Sequence, residues 1–231
     1  MKTIGLIGGM SWESTAEYYR IINETVKERL GGLHSAKIVM YSVDFEEVGE
    51  CQREGKWDEA TNLMIDAAKR VERGGADFVL ICTNTMHKMA EDVAANINIP
   101  LLHIVDVTAE KVIPSGFKKL GLLGSTFTME EDFCKGRLKE KYGLDVVIPS
   151  EADGQVVHNV IFKELCVGEI KGSSREHVKT IMKKLIDNGA QGIILGCTEL
   201  PLLIKQEDCA VPLFDTTAIH AKAAVDYALE D

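Results

Sequence analysis

Residues 2–8 read KTIGLIG, and 116 positions later residues 118–124 read KKLGLLG. The chain also reads KRVERGGADFVLICT over 69–83 and KKLIDNGAQGIILGC over 183–197, an offset of 114, with Lys69/Lys183, Gly75/Gly189 and Ala76/Ala190 in step. A third echo, Ile99-Pro100-Leu101-Leu102 against Val211-Pro212-Leu213-Phe214, falls at 112. Each match alone is a generic strand, but three in the same order with slowly drifting offsets mark a duplicated fold. Around them, short runs rich in Val, Ile and Leu (TIGLIG, AKIVMYSV, FVLIC) alternate with segments of helical period (14–30, 57–73, 86–95), the pattern of βαβ units on a parallel sheet. The expected architecture is α/β with two similar lobes, each a parallel sheet flanked by helices, related by a pseudo-twofold axis with the active site between them. Pro114 and Gly116 interrupt the period, so the lobes are expected at 1–112, completed by 211–231, and at 117–210. Ser14 with Glu17, Thr128 with Glu131 and Ser173 with Glu176 have the spacing of capping boxes.

A formal net charge of −10, from 26 Lys and Arg against 36 Asp and Glu, argues against partners that demand clustered cations, namely nucleic acid and anionic membrane surfaces. No apolar run approaches the length of a membrane span, and the N-terminus MKTIGLIGGMS reads as a first strand of a cytoplasmic protein rather than a leader. Six cysteines (51, 82, 134, 166, 197, 209) include no pair at the spacing of zinc or redox motifs, so reduced thiols and no metal are expected.

Ligands of parallel sheets sit beyond the carboxyl ends of the strands, where loops lead into helix N-termini. The repeat names those loops: Gly8-Gly9-Met10-Ser11 with its echo Gly124-Ser125-Thr126, and Thr83-Asn84-Thr85 with its echo Cys197-Thr198-Glu199. Lobes facing each other would set Thr83 and Cys197 on opposite sides of one ligand. Taking a proton from one face of a carbon and returning one to the other needs two such groups. Cysteine titrates near pH 8.5 and lower at a helix N-terminus, so Cys197 is expected as the base; the Thr83 hydroxyl can donate or relay but hardly abstract.

The motifs IGLIGGMSWEST at the start, ICTNTMH at 81–87 and LGCTEL at 195–200 resemble the aspartate/glutamate racemases over essentially the whole chain. Gly9-Met10 and Cys197-Thr198-Glu199 resemble the aspartate-racemase branch. The family's first motif is Cys-Asn-Thr-x-His, and Thr83 stands where its thiol would be. The resemblance implies racemisation of a small acidic amino acid independent of pyridoxal phosphate or any other cofactor, a homodimer, Cys197 as the base for L substrates, and a substrate held by Asn84, Thr85, Thr198 and Glu199. Met10, Gln52, Ser125 and Thr126 complete the expected binding residues.

Plainer readings stand beside these. Thr83, Asn84 and Thr85 have helix-capping chemistry, as do Ser125 and Thr126. Gly8-Gly9 lacks the rest of a dinucleotide fingerprint and could serve close packing. His87 either orients a loop or sits satisfied in the core. Gln52 and Arg53 lie in the polar stretch 46–56, read as a loop over the cleft or a solvated face. Cys82 is set aside as the missing thiol because strand alternation points it to the other face. The other four cysteines carry no motif. A single second-half thiol also resembles arylmalonate decarboxylases, and loss of the first thiol would suit a protein that only binds an acidic amino acid.

Overall fold

The computed structural model describes residues 1–230 and divides into two compact units, Met1–Ile104 with the chain from His220 onward, and Val105–Ile219. In the first unit, in chain order, lie β1 (Ile4–Gly8), α1 (Trp12–Leu30), β2 (Ile38–Ser42), α2 (Phe45–Glu54), α3 (Trp57–Arg73), β3 (Phe78–Ile81) and, after a 3-10 turn at Thr85–Met89, α4 (Ala90–Ala95). The second unit holds α5 (Ile104–Val112) from its second residue, β4 (Lys119–Gly124), α6 (Thr126–Glu130), α7 (Asp132–Tyr142), β5 (Asp145–Val147), α8 (Glu151–Lys163), α9 (Gly172–Asp187), β6 (Ile193–Gly196), α10 (Leu200–Leu203), β7 (Leu213–Asp215) and the start of α11 (Thr216–Leu229). No helix of the described residues is long and apolar enough to cross a membrane.

Both sheets are wholly parallel and share one plan. The first runs β2-β1-β3 with a bridge from Val79 to Leu101; the second runs β5-β4-β6-β7. Gly5 faces Val79, which faces Leu101, while Gly121 faces Ile193, which faces Leu213. These pairs reproduce all three offsets of the sequence repeat. The unit boundaries differ from the expected ones. The break precedes α5 instead of following it, and β7, assigned by sequence to the first lobe, hydrogen-bonds to β6; only the segment from His220 onward returns to the first unit. The Pro114 and Gly116 signal marks a 3-10 turn at Ile113–Ser115 after α5, so this punctuation is local to the end of a helix and is not the seam between units.

Strands β1 and β3 are buried on both faces because they are apolar without alternation, while the edge strand β2 is only partly covered. Ile4, Leu6, Phe78, Leu80 and Cys82 pack with Tyr18 and Ile22 of α1 and with Ala221, Ala224 and Val225 of α11. Ile7, Val79 and Ile81 pack the opposite way, on Met64, Ala67 and Val71 of α3. Helix α3 forms because Ala60, Met64, Ala67 and Val71 recur at three- and four-residue spacing, with Asp58 and Glu59 in the first turn and Arg70 and Arg73 in the last complementing its dipole. The three proposed capping boxes are replaced. Ser11 caps α1, Ser125 caps α6, and α9 begins without a side-chain cap, so Ser14, Thr128 and Ser173 lie inside their helices.

Glycine sets the distance between strand and helix in both units. A Cβ on Gly5 would lie 2.4 Å from Val71 Cγ1 and 2.7 Å from the Phe78 carbonyl oxygen; one on Gly121 would lie 2.5 Å from Ile193 Cδ1 and 3.1 Å from Leu185 Cδ1. Val71 and Leu185 are themselves repeat equivalents. Gly5→Ala is expected to cost about 3 kcal/mol in chemical denaturation, and Gly121→Ala about 1 kcal/mol, because only Gly5 meets rigid backbone. Equal costs would contradict this reading of the packing.

Candidate active site

The residues named by the repeat lie at the carboxyl ends of the strands in their own units. Thr83 stands four residues beyond Val79, the partner of Gly5, and Cys197 four residues beyond Ile193, the partner of Gly121. Their exposures are almost the same, 9% and 8%.

In the first unit, Gly8-Gly9 closes a tight turn. Gly9 takes φ +96°, its N–H donates to Thr15 Oγ1 at 2.8 Å, and a Cβ there would lie 2.2 Å from the Val43 carbonyl oxygen. Close packing therefore explains these glycines. The Met10 side chain is buried in the α3-side core beside Ile7 and Met86. After β3 the chain enters the 3-10 turn with Asn84 at its N-terminal edge, and the Asn84 side chain makes no capping bond, so the capping reading of that residue falls. Asn84 and Thr85 are buried. Cys82 is fully buried with Phe78 and Leu80, and desolvation drives its thiol far above the usual range.

Residues 46–54 of the stretch 46–56 belong to helix α2, so it is neither an open loop nor uniformly solvated. Asp44 caps it through the Glu46 N–H at 3.0 Å. Arg53 is exposed and paired with Glu46. Gln52 turns inward: it is 6% exposed, its amide donates to Met86 Sδ at 3.3 Å, and its Oε1 is buried with no hydrogen-bond partner among the described residues. A buried acceptor left unpaired costs about 1–3 kcal/mol, and a donor on a bound ligand would remove that cost.

In the second unit, Cys197 Sγ donates to Glu199 Oε2 at 3.0 Å, and Thr198 Oγ1 donates to the same oxygen at 3.0 Å. All three residues are buried. Burial first, then the Glu199 charge, pushes the Cys197 thiol well above its ordinary range. This reverses the expectation of a thiol acidified by a helix N-terminus: α10 has only four residues, and the nearest charge is a carboxylate. Ser125 is spent as the α6 cap, accepting from the Thr128 N–H at 3.3 Å. Thr126 N–H donates to His158 Nδ1 at 3.3 Å, and its hydroxyl lies 3.2 Å from the same nitrogen. Burial pushes the His158 imidazole down. Neither His158, 32 residues away, nor the imidazoles around His87 had any local sequence signal.

One of those imidazoles, His220, is fully buried and bonded at both nitrogens, to the Tyr18 hydroxyl at 2.8 Å and to the Leu102 carbonyl at 2.9 Å. Burial, aided by His87, pushes it down to about 3 from an ordinary 6.5. A depressed folded value means the stability is present above pH 6.5 and lost as pH falls toward 3, because only the unfolded chain takes up the proton. Unfolding free energy should drop by about 3 kcal/mol by pH 4.5 from this group. His220→Gln, which keeps a donor and an acceptor but cannot titrate, should flatten that slope; an unchanged slope would refute the assignment.

Comparison with known proteins agrees with the two-unit parallel α/β fold. The model of the family described as Asp/Glu/Hydantoin racemase matches residues 7–224. The broad specificity amino-acid racemase RacX of Bacillus subtilis is 25% identical over 228 residues, 96% of each chain. A crystal structure of a candidate Asp/Glu racemase from Yersinia pestis matches at 53% identity and TM-score 0.92, covering all of both chains. An aspartate racemase homologue from Pyrococcus horikoshii matches at 37% and TM-score 0.85, again over both full chains. With two parallel α/β units, a buried cysteine at the end of β6 and a family match across nearly its whole length, the chain belongs to the Asp/Glu/hydantoin racemase family.

Proposed function

We propose that the protein racemises acidic amino acids, aspartate or glutamate, without a cofactor. Cys197 takes the α-proton from the L face of the substrate and the Thr83 hydroxyl returns one to the opposite face. The observation that carries this reading is the buried Cys197 thiol bonded to the Glu199 carboxylate at 3.0 Å. An acidic substrate is favoured by the likeness to an aspartate racemase homologue at 37% identity.

Burial and the Glu199 charge keep the thiol protonated in the free enzyme. A substrate ammonium brings in positive charge, which favours the thiolate. Sγ passes its proton to Glu199 Oε2, the thiolate removes the α-proton, and the electron pair left on Cα spreads into the substrate carboxylate. Thr83 then donates its hydroxyl proton to the other face of Cα and is reprotonated by relay from solvent, since an alkoxide there would be too basic to persist. The orphaned Gln52 Oε1 supports a ligand with N–H donors, such as that ammonium.

The two enantiomers have equal free energy, so kcat/KM must be the same from either side. The preference for L substrates therefore lies in kcat and KM taken separately, and in any step that cannot reverse. Chiral chromatography of reactions in deuterated water, started from pure L- and pure D-aspartate and glutamate without added cofactor, tests the proposal. Inversion with deuterium at Cα of the product is expected; no inversion and no exchange of either acid would overturn it.

A further inference from the structure

The turn that carries Thr83 is tied down by one imidazole. His87 Nδ1 lies 2.7 Å from the Thr83 carbonyl oxygen, and His87 Nε2 lies 3.2 Å from the N–H of Ile104, 17 residues along the chain. A carbonyl can only accept and an amide N–H can only donate, so the two contacts together require a proton on Nδ1 and a lone pair on Nε2. The Nε2–H tautomer and the imidazolium would each set an N–H against the Ile104 N–H. His87 is 3% exposed and walled by the ring of His103, centroids 4.6 Å apart, and that of His220 at 5.8 Å. His220 is held in turn by Tyr18 and the Leu102 carbonyl. The clamp therefore rests on buried, hydrogen-bonded groups.

We infer that His87, as the neutral Nδ1–H tautomer, is a positioning residue for the proton-donating face: it sets the backbone of Thr83, and so the direction of the Thr83 hydroxyl, while leaving the Cys197 face untouched. The inference rests on the proposed division of labour between Thr83 and Cys197. Its consequence is selective, because a general acid displaced by about 1 Å loses rate while the opposite base continues to work.

An irreversible reaction separates the two faces. With a 3-chloro-L-aspartate, loss of the α-proton to Cys197 lets the Cα pair form a Cα=Cβ bond as the C–Cl bond breaks and chloride leaves. The enamine then takes up water to give ammonia and oxaloacetate. No proton from Thr83 is needed. Asn places an amide nitrogen where Nδ1 stands, so His87→Asn can keep the donor to Thr83; Gln places its amide at the Nε2 position, so His87→Gln cannot.

Expected for His87→Gln is a fall of about 10–100-fold in the kcat for L-aspartate inversion with chloride release within about 3-fold of the parent enzyme. His87→Asn should recover inversion to within about 5-fold. Thermal unfolding checks that both variants are folded. Equal losses of inversion and elimination in both variants, or no loss in either, would overturn the inference. A parent enzyme that neither inverts aspartate nor releases chloride would instead overturn the proposed function.

Discussion

Replacing Cys197 by Ala should abolish inversion and α-proton exchange, lowering kcat by about 1000-fold or more, with a change in melting temperature of only a few degrees. The thiol contributes the only proposed base on the L face, and no neighbour can substitute. Cys166 and Cys209, the other cysteines packed against the same core, lie in the 3-10 turn Leu165–Val167 and just after the 3-10 turn Gln206–Asp208 rather than at a strand end. The side chain ends in a single small sulfur, so its loss from the core leaves little cavity. Inversion and exchange rates measured beside a melting curve separate chemistry from folding. Activity retained within 10-fold would remove Cys197 from the mechanism.

Glu199→Gln should be nearly as damaging and should alter the pH profile in an opposite sense. The carboxylate has two effects: it accepts the thiol proton during turnover, and its charge holds the resting thiol well above its ordinary range. Gln removes the acceptor, so kcat should fall by about 100-fold. Gln also removes the like charge, so the Cys197 titration should move down toward the usual thiol range while burial still holds it above. Ultraviolet titration of the thiolate, with Cys197→Ala as the blank, reads this directly. A titration that moves up, or stays in place, would show that Glu199 does not set the thiol.

The duplication was legible because it is written in backbone-determining residues. Gly5 and Gly121 face the helices at Val71 and Leu185, and the strand partners Val79/Leu101 and Ile193/Leu213 repeat the same ladder, so spacing in the sequence is spacing in the sheet. What was not legible depends on long-range placement. The helical period of α2 was masked by its charged residues, and the inward turn of Gln52 is visible only once Met86, 34 residues away, is beside it. The elevated thiol of Cys197 could not be read from its position before a helix, because the shortness of α10 and the aim of the Glu199 carboxylate are tertiary facts. His87 was ambiguous for the same reason: its motif places it near Thr83, but its tautomer is fixed by Ile104, far along the chain.

The central claim is that the two sides of the substrate meet unequal groups, a thiol and an alcohol. Racemisation rates cannot test this through kcat/KM, which equilibrium forces to be equal in both directions. Elimination can. Chloride release should be measured for the two enantiomers of a 3-chloroaspartate of the same relative configuration. The L enantiomer, whose α-proton faces Cys197 in the proposed mechanism, should release chloride about 100-fold faster or more than the D enantiomer, whose α-proton would face Thr83. Equal rates would contradict the account, because they would require an equally competent base on the Thr83 side.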